Sequence, residues 1–221
     1  MTVTSRLTTE ERQFLASLNI LNENFYTRKD VVKIAKELLG KIIVTCFDEQ
    51  LTAARITETE AYNGIIDKAS HAYNNRRTKR TEIMYANGGA AYVYLCYGIH
   101  HLFNVVTSLK DVPHAVLIRA AEPLIGIDTM LTRTHKKKLD YTLTSGPGNV
   151  SKALGIYTHH TGIDLRSDHF FIAEDDYVLS NKNIITATRI GVNYAAEDAL
   201  LPYRFLIKDN KYVTKLPKLI G

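Results

Sequence analysis

Two charged residues near strand ends could form a site for acid–base chemistry. Glu60 stands where an alternating strand pattern ends and a polar loop begins, and a carboxylate in that position can take a proton from water. Arg119 ends a second apolar strand, A-V-L-I-R, where a buried arginine needs a carboxylate partner. Taken alone, Glu60 is better explained as a strand-end carboxylate in an ion pair. The hypothesis of a shared site therefore depends on whether the fold brings the two residues together.

Tyrosines dominate the stretch A-Y-V-Y-L-C-Y-G-I-H-H-L-F-N, which predicts a β-hairpin with Gly98 at its turn. Tyr92 and Tyr94 share one strand face, and the plain explanation is that both are core residues with hydrogen-bonded hydroxyls. Tyr97 stands beside the turn, where there is no core to fill. A single aromatic side chain at a hairpin tip suits insertion between stacked bases.

The hairpin pattern also makes a geometric prediction. A loop of only Tyr97 and Gly98 would pair Tyr94 with His101 and turn Asn104 away from Tyr94. If Tyr94 and Asn104 line one pocket, the loop must be one residue longer or the ladder must contain a bulge. We therefore predict an irregularity between these two residues.

Histidines could indicate the alternative chemistry of a metal centre. His71 follows a polar loop, and a lone histidine there is more often a surface residue than a catalytic one. The pairs 100–101 and 159–160 could suggest a metal, but adjacent residues of a strand point to opposite faces. The sequence has no H-E-x-x-H motif and no two-carboxylate spacing. We therefore expect no metal ion and no other cofactor.

The elements that must position these residues alternate between helices and strands. Helices are predicted at 8–19, 28–39, 126–133 and after the S-G-P-G-N of 145–149. Strands are predicted at 41–48, 51–60, 90–97, 99–107, 115–119, 169–173, 184–192 and 203–208. In the second strand, Ile56, Glu58 and Glu60 are expected on one face. The polar residues 63–81 form a long loop, and such loops are usually functional. No repeat or linker divides residues 1–221, so we expect a single α+β domain with a mostly antiparallel sheet.

Composition limits the class of protein. Of the 221 residues, 45% are hydrophobic, which is enough for a sizeable core. The formal charge of +5 favours an anionic partner such as nucleic acid or a membrane surface. No apolar run is long enough to span a membrane, and the polar N-terminus has no secretory signal. Cys46 and Cys96 are expected to be buried free thiols, so the predicted location is intracellular and reducing.

Several blocks taken together resemble the alkyladenine, or 3-methyladenine, DNA glycosylase family of the mammalian type. They are E-T-E-A-Y (58–62), His71, Y-V-Y-L-C-Y-G (92–98), Asn104, R-A-A-E-P (119–123), S-G-P-G (145–148) and P-Y-R-F (202–205). The resemblance implies a single compact α+β domain with a curved, mostly antiparallel sheet, flanking helices and a protruding β-hairpin that inserts into the DNA minor groove. It also implies a base-excision repair enzyme that flips a damaged purine out of the duplex and hydrolyses its N-glycosidic bond.

The resemblance assigns a role to each of the residues in and near the proposed site. Glu60 would activate the water molecule, and Arg119 would help to hold that site. Tyr62 and Tyr94 would sandwich the flipped base, while His71 would supply a hydrogen bond and part of the pocket wall.

The same resemblance assigns the remaining contacts with DNA. Tyr97 would fill the gap left in the base stack, and Asn104 would sterically disfavour the amino group of normal guanine. The family commonly has lysine after G-P-G, whereas this chain has Asn149, with Lys152 three residues later. No lysine occupies a nucleophile position, which predicts hydrolysis without strand cleavage.

The resemblance also implies substrates and partners. The substrate would be double-stranded DNA that contains 3-methyladenine, 7-methylguanine, hypoxanthine or ethenoadenine. Neutral bases would need a proton, and the sequence reveals no donor. We expect a cytoplasmic monomer, associated with the nucleoid if the source is bacterial. A lesion-recognising DNA-binding protein without catalysis is the alternative, and a metal-dependent hydrolase is a third possibility.

Overall fold

The computed structural model describes residues 7–214, so the ends of the predicted domain, 1–6 and 215–221, lie outside the described residues. Five α-helices are found in this part of the chain: α1 Thr9–Ala16, α2 Glu23–Tyr26, α3 Val31–Glu37, α4 Ile127–Thr134 and α5 Pro147–Leu154. Short 3-10 helices are found at Gly64–Ile66, Tyr73–Asn75, Glu82–Tyr85, Tyr141–Leu143, Thr158–His160, Asn181–Asn183 and Asn193–Leu200. No helix of residues 7–214 is long and apolar enough to cross a membrane.

One sheet of nine strands organises the described chain. The strands are β1 Asn19–Ile20, β2 Ile42–Phe47, β3 Gln50–Tyr62, β4 Ala91–Cys96, β5 His100–Thr107, β6 His114–Ile125, β7 Phe170–Glu174, β8 Ile184–Ala187 and β9 Arg204–Ile207. Their order is β1-β7-β2-β3-β6-β5-β4, with β9 also paired to β3 and β8 paired to β9. Each of these pairings is antiparallel, and the predicted α+β fold class is confirmed.

Helices begin where the sequence provides caps and pack where it provides apolar faces. Thr8 and Glu11 form a capping box at α1, and the Asp30 side chain accepts the Lys33 N–H at the start of α3. The buried face of α3 and the face of α5 that contains Val150, Ala153 and Leu154 both join the main core cluster. That core covers one side of the central strands.

The predicted elements are recovered with changes at their ends. The strand predicted at 115–119 extends from 114 to 125 and includes Pro123, next to a register shift where a missing N–H is tolerated. The strand predicted at 184–192 ends at Ala187. The two-residue β1 and the four-residue α2 were not predicted, because elements this short have no usable periodicity.

The ladder between β3 and β6 contains two neighbouring irregularities. Its register shifts between Ile56 and Glu58 and again between Glu58 and Thr59. At these two shifts, Thr57 in β3 and Arg119 in β6 are the residues without a partner. Each extra residue is a bulge, and the second restores the register that the first displaces.

Because of these bulges, Ile56 lies on a different face of the sheet from the one that the sequence predicted. Ile56 packs in the core cluster that contains the buried face of α3, and the Thr59 hydroxyl donates to the Ala35 carbonyl in α3 at 2.8 Å. Ile56 and Thr59 thus face the helix, whereas Glu58 and Glu60 face the opposite side, where both contact Arg119. Strict alternation is lost at Thr57, so the sequence pattern correctly grouped the two glutamates but wrongly included Ile56.

The hairpin of β4 and β5 confirms the predicted irregularity. Cys96 pairs with His100, which leaves a three-residue loop of Tyr97, Gly98 and Ile99. Tyr97 and Gly98 have φ values of +50° and +74°, a left-handed conformation that favours glycine at the second position. Because the loop is one residue longer than the two-residue form, Tyr94 and Asn104 point to the same face.

Candidate active site

The structure brings Glu60 and Arg119 together at the bulged part of the sheet. Arg119 Nη1 lies 3.4 Å from Glu60 Oε1, and Arg119 Nε donates to Glu58 Oε1 at 3.0 Å. Both glutamates have no solvent exposure, and Arg119 is also buried. A single guanidinium therefore lies between two buried carboxylates.

Each described polar partner of Glu60 is a donor. The Tyr62 hydroxyl donates to Oε2 at 2.9 Å, and the Ile190 backbone N–H donates to Oε1 at 2.8 Å. Burial raises the pKa of Glu60 above its ordinary value, while Arg119, the Ile190 N–H and the Tyr62 hydroxyl oppose that rise. Burial and the neighbouring Glu60 also raise the pKa of Tyr62, so its hydroxyl stays protonated. These donors stabilise the carboxylate form that a general base requires.

Glu58 anchors the cations of this site. Arg204 Nη1 lies 3.3 Å from Glu58 Oε1. The Thr214 backbone N–H donates to Glu58 Oε2 at 2.7 Å, and the Thr214 hydroxyl donates to Oε1 at 2.6 Å. Arg204 is 1% exposed. The four charged residues balance in pairs, two carboxylates and two guanidiniums, which offsets the cost of burying each charge. The role of Glu58 is thus to hold Arg119.

A small pocket lies beside these carboxylates. It is lined by Tyr62, Ala69, His71, Met84, Tyr92, Tyr94, Asn104, Ala115 and Tyr194, and its volume is about 30 Å³. All four residues for which the sequence predicted a role in base binding therefore line one cavity. Tyr62 also contacts Glu60 through its hydroxyl and so connects the pocket to the carboxylate.

His71 is held as a neutral ring in the pocket wall. Its Nδ1 lies 2.8 Å from the Tyr92 hydroxyl, and its ring meets the Tyr94 ring edge-on, with centroids 4.6 Å apart. Arg80 Nη2 lies 3.4 Å from Nε2, and because a guanidinium only donates, Nε2 is the acceptor and Nδ1 carries the proton. Burial, with Arg80 and Arg76 nearby, lowers the pKa of His71 to about 4.

Asn104 is fixed by its own strand neighbourhood. Its side-chain nitrogen donates to the backbone carbonyls of Tyr92 and Leu102, both at 3.2 Å. The side chain is 4% exposed and cannot move aside without breaking these bonds. Asn104 is therefore a rigid part of the pocket wall.

Tyr97 lies apart from the pocket, at the tip of the hairpin. Its side chain is 91% exposed, and the neighbouring Ile99 is also exposed. A large aromatic side chain with so little packing does not stabilise the fold. The position fits the contact with DNA that the sequence predicted.

Sequence reasoning missed several residues that complete the site. The contact of the Ile190 backbone N–H cannot be recognised from residue type, and Tyr194 lies far along the chain from Tyr94 and Asn104, its pocket neighbours in β4 and β5. Arg204 was quoted only as part of P-Y-R-F. An arginine with apolar neighbours in a predicted strand is a signal for a buried ion pair, and it could have been found.

The paired histidines and the two cysteines lie outside the candidate site. His159 and His160 lie in a 3-10 turn with ring centroids 4.0 Å apart, so the argument from strand faces does not apply to them. Among residues 7–214 no group of three metal-binding side chains is found. Cys46 and Cys96 are free thiols as predicted, but both are half-buried rather than buried.

The start of α5 differs from the family pattern in its contacts as well as its sequence. The Asn149 side chain donates to the carbonyls of Thr142 and Ser145, so it closes the preceding loop. Lys152 is exposed one turn further along the helix. Lys152 is therefore an exposed cation of the same helix, while Asn149 has a local structural role.

A larger cavity lies elsewhere. Its volume is about 580 Å³, and residues of α3, β7 and the segment 177–184 line it. None of the predicted site residues belongs to it. We assign the active site to the smaller pocket because a buried, donor-surrounded carboxylate adjoins it, and such perturbed groups mark functional sites better than volume does.

Comparison with known proteins identifies the family of the chain. Residues 24–211 match the family described as Methylpurine-DNA glycosylase (MPG). A Clostridium novyi (strain NT) protein is 44% identical over 202 residues, which is 88% of this chain and 98% of the relative. A Chlamydia abortus protein is 47% identical over 189 residues, which is 85% of this chain and 98% of the relative. Both carry the name "Putative 3-methyladenine DNA glycosylase".

Replacement of Glu58 tests its anchoring role. Glu58→Gln removes a buried charge from Arg119 and Arg204, and we expect the free energy of unfolding to fall by about 3 kcal/mol. Urea denaturation should show a lower midpoint with an unchanged slope. The control is Glu37→Gln, which removes a partly exposed partner of Arg28 and should cost less than about 1 kcal/mol. Equal losses for the two variants would contradict the anchoring role.

Proposed function

The chain belongs to the methylpurine-DNA glycosylase family and is therefore a DNA glycosylase of base-excision repair, and we propose which lesions it removes and how. The lesions are purines damaged by alkylation or deamination: 3-methyladenine, 7-methylguanine, hypoxanthine and ethenoadenine. The reaction is hydrolysis of the N-glycosidic bond, without strand cleavage, by water that Glu60 activates. The observation that carries the proposal is the position of Tyr62, which joins Glu60 to the base pocket.

Binding begins with the exposed hairpin and the basic loop. Tyr97 enters the duplex and occupies the space of the flipped nucleotide, which offsets part of the lost stacking. In the loop, Arg77 pairs with Glu82 and Asp111, whereas Arg76 and Lys79 are exposed cations that can bind backbone phosphates. The partner is double-stranded DNA, and one copy of the chain suffices for one lesion, so we propose a monomer in the compartment that holds the DNA.

The pocket selects the flipped base by stacking and by charge. Tyr62 and Tyr94 supply aromatic faces, and stacking is worth roughly 1–3 kcal/mol per base. A base alkylated at N3 or N7 is a cation, and His71 with a pKa of about 4 is neutral at neutral pH. The pocket therefore places no imidazolium against a cationic base. The fixed Asn104 excludes the amino group of normal guanine.

Chemistry occurs at the edge of the pocket. Loss of the base develops positive charge on the sugar, as in other glycoside hydrolysis. The ionised Glu60 stabilises that charge and takes a proton from the attacking water, while Arg119 fixes the carboxylate in position. A cationic base leaves without protonation, whereas hypoxanthine and ethenoadenine need a proton from another source. The reaction as proposed uses no metal or other cofactor.

A lesion-binding protein without catalysis is the second candidate function. It would need the pocket and the hairpin but would gain nothing from Glu60. Burying a carboxylate is costly unless it is fully partnered. Glu60 has three such partners, namely the Tyr62 hydroxyl, the Ile190 backbone N–H and the Arg119 guanidinium. The cost of burying Glu60 therefore favours the catalytic function.

Replacement of Glu60 separates catalysis from binding. Glu60→Gln keeps the size of the side chain but removes the base, so we expect single-turnover release of 7-methylguanine to fall by about a hundredfold or more. Affinity for the lesion duplex at fixed salt, measured by fluorescence anisotropy, should stay within about threefold. Glu37→Gln is the matched control, and full activity of Glu60→Gln would refute the water-activation role.

Truncation of Tyr97 tests the hairpin. Tyr97→Ala removes the stacking group, and we expect the release of hypoxanthine from a paired duplex to slow by about tenfold to a hundredfold. The same lesion in a mismatched, already unstacked site should be much less affected, because less stacking is lost on flipping. Tyr141→Ala, at an exposed tyrosine outside the pocket, is the control. Equal slowing on both DNAs would argue against insertion.

A further inference from the structure

Tyr194 differs from the other residues of the base pocket in its exposure. Its side chain is 69% exposed, whereas the other eight lining residues are buried or half-buried. Its ring nevertheless belongs to the pocket wall beside Tyr62 and Tyr94. One side of the Tyr194 ring thus faces the pocket while much of the rest is in solvent.

The pocket is too small for its proposed occupant. Its volume of about 30 Å³ is space for only about two water molecules, since one water needs roughly 10–15 Å³ by this measure. A purine has nine ring atoms and needs several times that space. At least one wall must therefore move when a base enters.

Most walls are held in place. Met84, Tyr92 and Ala115 belong to a buried apolar cluster, and movement there would open a cavity in the core. The Tyr62 hydroxyl is hydrogen-bonded to Glu60. Asn104 is bound to two backbone carbonyls.

Tyr194 is the most exposed wall of the pocket, and its side chain can move at a low cost. Its hydroxyl donates to the Ala69 carbonyl at 3.1 Å, and this is a single hydrogen bond at a solvent-accessible edge. The backbone around it is anchored, since Val192 and Ala195 pack on Ala69 and the Ile190 N–H binds Glu60. Rotation of the side chain alone can therefore clear the pocket without disturbing the carboxylate.

We propose that the Tyr194 ring is the specificity-determining wall of the base pocket and sets the largest base that the enzyme accepts. This inference rests on the proposed function, because it assigns the pocket to a flipped base. The ring turns outward as the base enters and then packs against its edge. A compact base such as hypoxanthine leaves room for the ring, whereas the additional ring of ethenoadenine competes with it for space.

The test compares two lesions in the same duplex sequence. Tyr194→Ala should raise the ratio of single-turnover rates, ethenoadenine over hypoxanthine, by about tenfold, because one extra group in a tight pocket changes discrimination by that order. Tyr194→Phe keeps the ring and loses only the hydrogen bond to Ala69, so its ratio should stay within about twofold of the wild-type value. The exposed Tyr141→Ala is again the control.

A binding measurement makes the inference independent of cleavage. In the Glu60→Gln background, Tyr194→Ala should raise the affinity ratio of ethenoadenine over hypoxanthine duplexes by a similar factor. If the wild-type chain released neither base but the affinity ratio still changed, the proposed function would fail while the role of Tyr194 stood. If both ratios for Tyr194→Ala matched wild type within about twofold, the role of Tyr194 would be overturned.

Discussion

The sharing of Arg119 between Glu58 and Glu60 is the interaction on which the site depends. Two carboxylates without solvent exposure are costly unless cations and hydrogen bonds replace the lost water. The paired bulges of β3 and β6 meet this requirement, because they turn both glutamates and the arginine to the same side of the sheet. Glu58 uses Arg204 and Thr214 as further partners, so Glu60 keeps Arg119, a tyrosine hydroxyl and one backbone N–H. Glu58 thus holds both arginines, while Glu60 is the carboxylate that adjoins the pocket through Tyr62.

Charge control extends from this pair into the base pocket. Tyr62 contributes its hydroxyl to Glu60 and its ring to the pocket, so a stacked base necessarily lies next to the carboxylate. Arg80 and burial keep His71 neutral, and the bond to Tyr92 fixes its ring. The result is a buried carboxylate beside a pocket whose wall contains an uncharged imidazole. Preorganised charges of this kind cost no rearrangement during the reaction.

Much of this arrangement could be predicted from the sequence. Residue types and their order indicated the α+β class. The expectation that Tyr94 and Asn104 share one face of the hairpin required a loop longer than two residues, and a three-residue loop is observed. The bulges at Thr57 and Arg119 could not be predicted, because each depends on the partner strand rather than on local pattern, and the face of Ile56 was consequently wrong. The Ile190 N–H and the Tyr194 ring reach the site through tertiary packing alone. Short-range patterns thus pointed to Glu60, Arg119 and the pocket residues, whereas the partners of these residues depended on long-range contacts.

The central claim is that an ionised Glu60, held in that form by Arg119, activates the water. Single-turnover rates for release of 7-methylguanine, measured against pH, test it most directly, because this cationic base leaves without protonation. The rate should rise with pH through the raised pKa of Glu60, since the carboxylate is the active form. Arg119→Gln removes a positive charge that lowers this pKa, so the rising limb should move to higher pH, while Arg119→Lys should stay near wild type. A limb that keeps its position in Arg119→Gln, or moves to lower pH, would contradict the account.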